Sequence, residues 1–164
     1  WKVKVPMLVS FFVWTAALGK ILTVDNLRKR GVLVVGWCCM CKRSGESIDH
    51  LLLHCDVARE LWSAIFSLFG VTWVMPETVL DMLVCWRGQM RNRSVLPVWR
   101  IAPLCVLWIV WRERNARCFD DSEKSKIELL NFMLHSLFVW TGAFHISLLP
   151  SFSHFADFCI SFSL

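Results

Sequence analysis

Four residues between positions 38 and 55 limit what this chain can fold into more than anything else in it. Cys38 and Cys41 are separated by two residues, His50 follows after eight more, and Cys55 after another four. Two thiolates two residues apart on one tight turn can bind the same ion, and the His–Cys pair has a spacing that one helical turn can close. The pattern Cys-x2-Cys-x8-His-x4-Cys is a complete Cys3His set for a tetrahedral site. Thiolates with an imidazole select zinc over magnesium or calcium. Four protein donors leave no coordination position open, so the expected role is structural, and ion binding would drive local folding. Two alternatives stay open at this level. Cys39 competes with Cys38, with a poorer bite to Cys41, and His54 competes with His50, although it adjoins Cys55.

The remaining cysteines, Cys85, Cys105, Cys118 and Cys159, occur singly in apolar surroundings and read as reduced core residues. This spacing does not resemble a secreted disulfide framework, and the expected setting is intracellular, with a nuclear location compatible. The chain begins with Trp, which reads as a piece of a longer frame.

Helical punctuation recurs on both sides of the cluster. Pro6 opens an apolar run that Gly19 closes, and Thr23 and Gly31 bracket a second, shorter helix. Val32 to Val35 reads as a short extended lead-in. Apolar positions 57, 58, 61, 62, 65, 68 and 69 give a helix ending at Gly70, and Pro76 begins another to about Arg87. Gly88 to Ser94 reads as a basic loop. A long helix from Pro97 to Phe119 contains Pro103, which predicts a kink or a restart. Ser122 is the expected cap of a last helix from Glu123 to Leu149. The fold class is therefore mostly α: a small helical domain with an embedded Cys3His zinc knuckle and few or no short strands. The expected division is a zinc-binding region over 1–75, a Trp-rich helical region over 76–149 and an irregular tail over 150–164.

Charge narrows the partners. The net charge is +5, and up to Asp120 sixteen Lys and Arg face nine Asp and Glu. The basic surplus thus lies in the first two thirds of the chain, and Arg28, Lys29, Arg30, Lys42 and Arg43 are candidate phosphate contacts. Arg87, Arg91, Arg93, Arg112, Arg114 and Arg117 are further candidates of the same kind. Trp37, directly before the first ligand, is read equally as a base-stacking or a core residue, whereas Trp14, Trp62, Trp108 and Trp111 are expected in the core. Arg112 to Asn115 are consecutive and cannot share one helix face, so Asn115 and one arginine are expected to make structural hydrogen bonds. Leu129 to Leu149 carries no formal charge, but Asn131, His135, Ser136, Thr141 and His145 dilute it, and a buried or intersubunit helix is expected rather than a membrane span. No catalytic residue set stands out: there is no Ser–His–Asp arrangement, phosphate-binding glycine loop or paired-carboxylate pattern.

These residues together resemble a known family. Cys38-Cys-Met-Cys41, Glu46-Ser47-Ile-Asp49-His50-Leu51, His54-Cys55, Ala58 and Leu61-Trp62 are similar to the zinc-binding domain that follows the polymerase in plant non-LTR (LINE-type) retrotransposon proteins. Val5-Pro6, Phe12 with Trp14, Leu22 to Leu27 and Lys29-Arg30-Gly31 agree upstream, and Trp108 to Asn115 followed by Phe119 agrees downstream. The resemblance runs from about Trp1 to Asp120. It implies a non-catalytic accessory domain with one structural zinc. Such a domain would bind RNA or DNA without sequence preference beside the retroelement polymerase. The chain has no Tyr and lacks the paired metal-binding aspartates of a polymerase centre. A zinc-stabilised protein–protein module, or an inactive fragment of a decayed element, is the alternative.

Overall fold

The computed structural model describes residues 5–88, 90 and 95–143. Among these residues there are six α-helices, one wide turn and no strand. The helices are α1 (Met7–Ala17), α2 (Val24–Lys29), α3 (Asp56–Leu68), α4 (Val79–Cys85), α5 (Leu96–Phe119) and α6 (Lys126–Ala143), with the wide turn at His50–His54 between α2 and α3. The fold is mostly helical with an embedded Cys3His cluster, as expected from the sequence.

α5 is the axis of the molecule. From Val98 to Val110 every residue except Arg100 and Trp108 is buried, because α1, α3 and α6 all pack against this helix. Phe12 of α1 lies 5.4 Å from the Trp108 ring and 5.5 Å from the Trp111 ring. On α6, Leu129, Met133, Leu137 and Thr141 repeat every four residues and are all buried. Ile127 and Val139 face outward. That stripe packs the described part of the uncharged stretch, up to Ala143, against the core on one face of the helix. Among the described residues no helix is long and apolar enough to cross a membrane. Residues 144–164, including the expected end of this helix and the tail, lie outside the described residues.

Several boundaries differ from the sequence reading. α6 is capped by Ser125, not Ser122: the Ser125 and Glu128 side chains and backbone N–H groups form a reciprocal box. Both serines are candidates by type, but only Ser125 has a Glu three residues on. α4 begins after Thr78, whose hydroxyl accepts from the Asp81 N–H, rather than at Pro76. The short segment Val32–Val35 pairs with no strand, and the 88–94 loop lies largely outside the described residues. Trp14 is 59% exposed and is not a core residue, because it sits on the outer side of α1 with Phe11. Of the single cysteines among the described residues, only Cys105 is buried; Cys85 and Cys118 are exposed near helix ends, and Cys159 lies outside the described residues.

Pro103 causes no restart: α5 runs unbroken through it. Proline has no N–H to give the carbonyl four residues back, which is that of Trp99. That oxygen accepts instead from the Trp86 indole at 2.8 Å, and the Trp99 indole donates back to the Trp86 carbonyl at 3.2 Å. The two rings stack at 4.0 Å with 12° between planes. Side-chain donors thus replace the missing ladder bond, inside a cluster that also holds Trp62, Phe66 and Trp73.

Trp86→Phe should therefore cost about 1–3 kcal/mol through the buried carbonyl it leaves without a donor. Pro103→Ala should recover part of that loss in the Trp86→Phe background and contribute less in the parent. Urea unfolding of the four-protein cycle measures the coupling.

Candidate metal centre

The knuckle is built from two backbone turns. In the first, the Cys38 N–H donates to the Ser44 carbonyl at 2.7 Å and the Lys42 N–H to the Cys38 carbonyl at 2.8 Å. This closes residues 38–44 into a compact loop with Lys42 in the left-handed region at φ 56°. The second turn is the wide one at His50–His54, of π type. In an α-helix, residues five apart are about 140° out of alignment. The wider turn brings them back into line, so the Cys55 N–H reaches the His50 carbonyl at 2.6 Å. His50 and Cys55 therefore face the same point. Leu51, Leu52 and Leu53, between them, are fully buried, and the Trp62 indole donates to the Leu52 carbonyl at 2.9 Å.

One ligand atom from each of Cys38, Cys41, His50 and Cys55 lies within 4.8 Å of the other three. The Cys38 and Cys55 sulfurs are 3.9 Å apart, and the Cys41 sulfur is 3.4 Å from His50 Nε2. A tetrahedral ion with sulfur and nitrogen ligands sets these separations at about 3.8 Å and about 3.5 Å. The donor set and its spacing fit a metal ion. The two rival ligands point elsewhere. Cys39 Sγ is 3.6 Å from Glu46 Oε2 and 3.7 Å from the Arg114 carbonyl, while His54 Nε2 is 3.0 Å from the Glu77 carbonyl.

Electrostatics separates the same groups. The hydrogen bond with Cys55 holds the Cys38 thiol down at about 5 despite burial. That bond and burial push Cys55 up, so one thiolate and one thiol share the proton that a cation would displace. Burial, followed by a hydrogen bond with Cys118, keeps Cys39 protonated.

Around the cluster, buried charges fasten the knuckle to α5. Glu46 is fully buried, and its Oε1 accepts from Arg114 Nε at 3.1 Å and Nη2 at 2.8 Å, and from the Val24 N–H at 3.1 Å. Burial works against the Arg114 charge, but the hydrogen bonds and charge of Glu46 outweigh it and hold the proton more tightly than usual. Arg114 also donates to Asn115 Oδ1, as expected for Asn115 and one arginine. One turn later, Arg117 pairs with Glu113 at 2.8 Å and donates to the Met40 carbonyl at 3.1 Å, inside the first knuckle turn. Arg114 and Arg117 are therefore structural and unavailable as phosphate contacts. Arg112 is exposed and its guanidinium lies 5.6 Å from the Phe132 ring. Ser47 accepts from the His50 N–H and Asp49 from the Val79 N–H, so the polar residues between the ligand pairs position the turn and α4.

The candidate nucleic-acid contacts lie on the outside of this assembly. Arg28, Lys29 and Arg30 are exposed on and just after α2, and Lys42 and Arg43 are exposed on the first knuckle turn. Arg43 forms an exposed pair with Asp56 at 3.1 Å. Trp37 is 58% exposed and so is not a core residue.

With this geometry in view, comparison with known proteins places the N-terminal part of the chain. Residues 1–62 match the family described as zinc-binding in reverse transcriptase. All four cluster residues fall inside that match. The N-terminal segment is thus similar to the zinc-binding unit of reverse transcriptases over 62 of the 164 residues. The chain is also 22% identical over 126 residues to a protein of Arabidopsis thaliana described as a "putative ribonuclease H protein". That alignment covers 77% of this chain and 20% of the relative, so the matched stretch spans about a fifth of the relative's length. No solved structure matches the chain.

Two outcomes follow from the site. Cys41→Ser and His50→Ala should each abolish metal retention and loosen the fold, whereas Cys39→Ser and His54→Ala should retain metal; elemental analysis of the purified variants distinguishes them. Arg114→Met should destabilise the metal-loaded protein by about 3–5 kcal/mol in urea, because it leaves the Glu46 carboxylate buried without its partner.

Proposed function

We propose that this zinc-binding unit holds one structural zinc ion through Cys38, Cys41, His50 and Cys55. On that zinc-stabilised surface it binds RNA or DNA without sequence preference, as a non-catalytic accessory to a reverse transcriptase. The observation that carries the reading is the convergence of the four ligand atoms within 4.8 Å inside a segment similar to the reverse-transcriptase zinc-binding family. Four protein donors saturate a tetrahedral ion and leave no site for an activated water, which favours structure over hydrolysis. The exposed cations of α2 and the first knuckle turn supply the phosphate-directed charge. An origin in a plant LINE-type element, with the polymerase as the neighbouring partner, agrees with the motifs and with the plant relative. An intracellular or nuclear setting suits a site that needs reduced thiols.

One observation favours a second reading, a protein–protein module. Met7, Leu8, Phe11 and Trp14 expose an apolar surface along α1, of the kind that marks an interaction site. The two readings separate by salt.

Zinc-loaded protein should bind a fluorescent 15-nucleotide oligomer with a log affinity that falls linearly against log salt. Arg30→Gln together with Lys42→Gln should reduce that slope by about 1.4, or about 0.7 per lost contact on a single strand. Absence of binding at low salt would reject the nucleic-acid reading in favour of the protein–protein one.

A further inference from the structure

Trp37 is an exposed ring on a backbone held from both sides. After it, the Cys38 N–H is bonded to the Ser44 carbonyl at 2.7 Å. Before it, Gly36 lies against the far limb of the same turn: a Cβ placed on Gly45 would meet the Gly36 carbonyl oxygen at 3.9 Å. Arg28 covers Gly36 from the α2 side, so closely that a Cβ on Gly36 would lie 2.6 Å from its Nη2 and 3.2 Å from its Cζ. The indole therefore projects from a fixed base, 58% exposed, with a guanidinium beside its root. None of the ring contacts among the described residues involves Trp37, although eleven other aromatic side chains pair with one another.

We infer that Trp37 and Arg28 form a stacking platform for one unpaired base, so that the knuckle prefers single-stranded nucleic acid to duplex. The inference rests on the nucleic-acid reading above and adds the form of the ligand to it. A base inside a duplex has both faces covered, whereas an unpaired base offers a face to an indole. Such stacking tolerates any base. The cations of α2 and of the knuckle turn meet phosphates in either form, so charge alone does not separate the two. Ordering cost is small here, because the backbone under Trp37 is already pinned by the metal-ligand turn. Gly36 has a specific part: the absence of a side chain lets Arg28 lie against the segment that carries the indole.

The test measures fluorescence anisotropy of the zinc-loaded chain with a 15-nucleotide single strand and with a duplex of the same length, at fixed salt. Trp37→Ala should weaken single-strand binding about tenfold, leaving duplex binding and the salt slope unchanged, and Trp37→Phe should restore most of it. Gly36→Ala displaces only the end of a flexible arginine, so it should keep zinc and fold while lowering the single-strand preference. Circular dichroism and zinc content verify that each variant is folded. Equal losses on single strand and duplex, or no loss with Trp37→Ala, would overturn the platform while leaving the nucleic-acid reading standing. Failure of the parent protein to bind either form would overturn that reading and the platform with it.

Discussion

A carboxylate with no exposure to solvent is expensive unless its surroundings answer it, and Glu46 is such a group. Its position between the two ligand pairs puts it where the chain has the least regular structure. Arg114 reaches it with two nitrogens, and the start of α2 supplies a backbone N–H. A buried pair of this sort adds little net stability compared with apolar packing. What it does supply is a unique register. The knuckle can sit on α5 in only one position without stranding a charge. Arg117, held by Glu113, fixes the same arrangement a turn further along through the Met40 carbonyl. The ligand turns are thus positioned from outside by α5 as well as from inside by their own hydrogen bonds.

α5 consequently has two differing halves. Its first half is apolar apart from the exposed Arg100 and is packed by three helices; its last turns carry the charges that dock the knuckle. The proline in the first half would ordinarily cost about 3 kcal/mol in a helix interior. The Trp86–Trp99 stack offsets part of that cost by supplying a donor where the ladder lacks one. Arg114 and Arg117 also join regions that sequence composition alone would separate near residue 75, since both reach back to residues 40–46.

Much of this was legible from residue types and spacing. Proline and glycine at α1, and Gly31 at α2, act locally: Gly19 and Gly31 adopt φ of 70° and 79° at the helix exits, where a side chain would be strained, whereas Thr23 stands at the N-cap position of α2 without its hydroxyl capping an N–H. The four cluster residues are equally local in their logic. Less was visible where distant groups decide. Ser122 and Ser125 look alike until the partner at Glu128 is considered. Pro103 looks like a break until Trp86 is known to lie across from its orphaned carbonyl. The Glu46–Arg114 pair spans 68 residues, and no periodicity links its members. One signal was present: Arg114 and Arg117 continue the buried stripe of Val106 and Val110 at helical spacing. Charged residues on an apolar face require partners. Trp14 failed as a core residue because a nearly uniformly apolar helix has no periodic contrast from which to choose its inward face.

Lys42 illustrates how such a small scaffold can be pulled in two directions. A residue with a Cβ held at φ 56° gives up about 1 kcal/mol relative to a conformation it prefers. Glycine would adopt that conformation without strain. Lysine at that position keeps a positive charge on the rim of the ligand turn at the expense of conformational ease. Glycine at position 42 would therefore relieve the turn while removing a cation from beside the ligands, so conformational ease and local charge respond to this one residue in opposite directions.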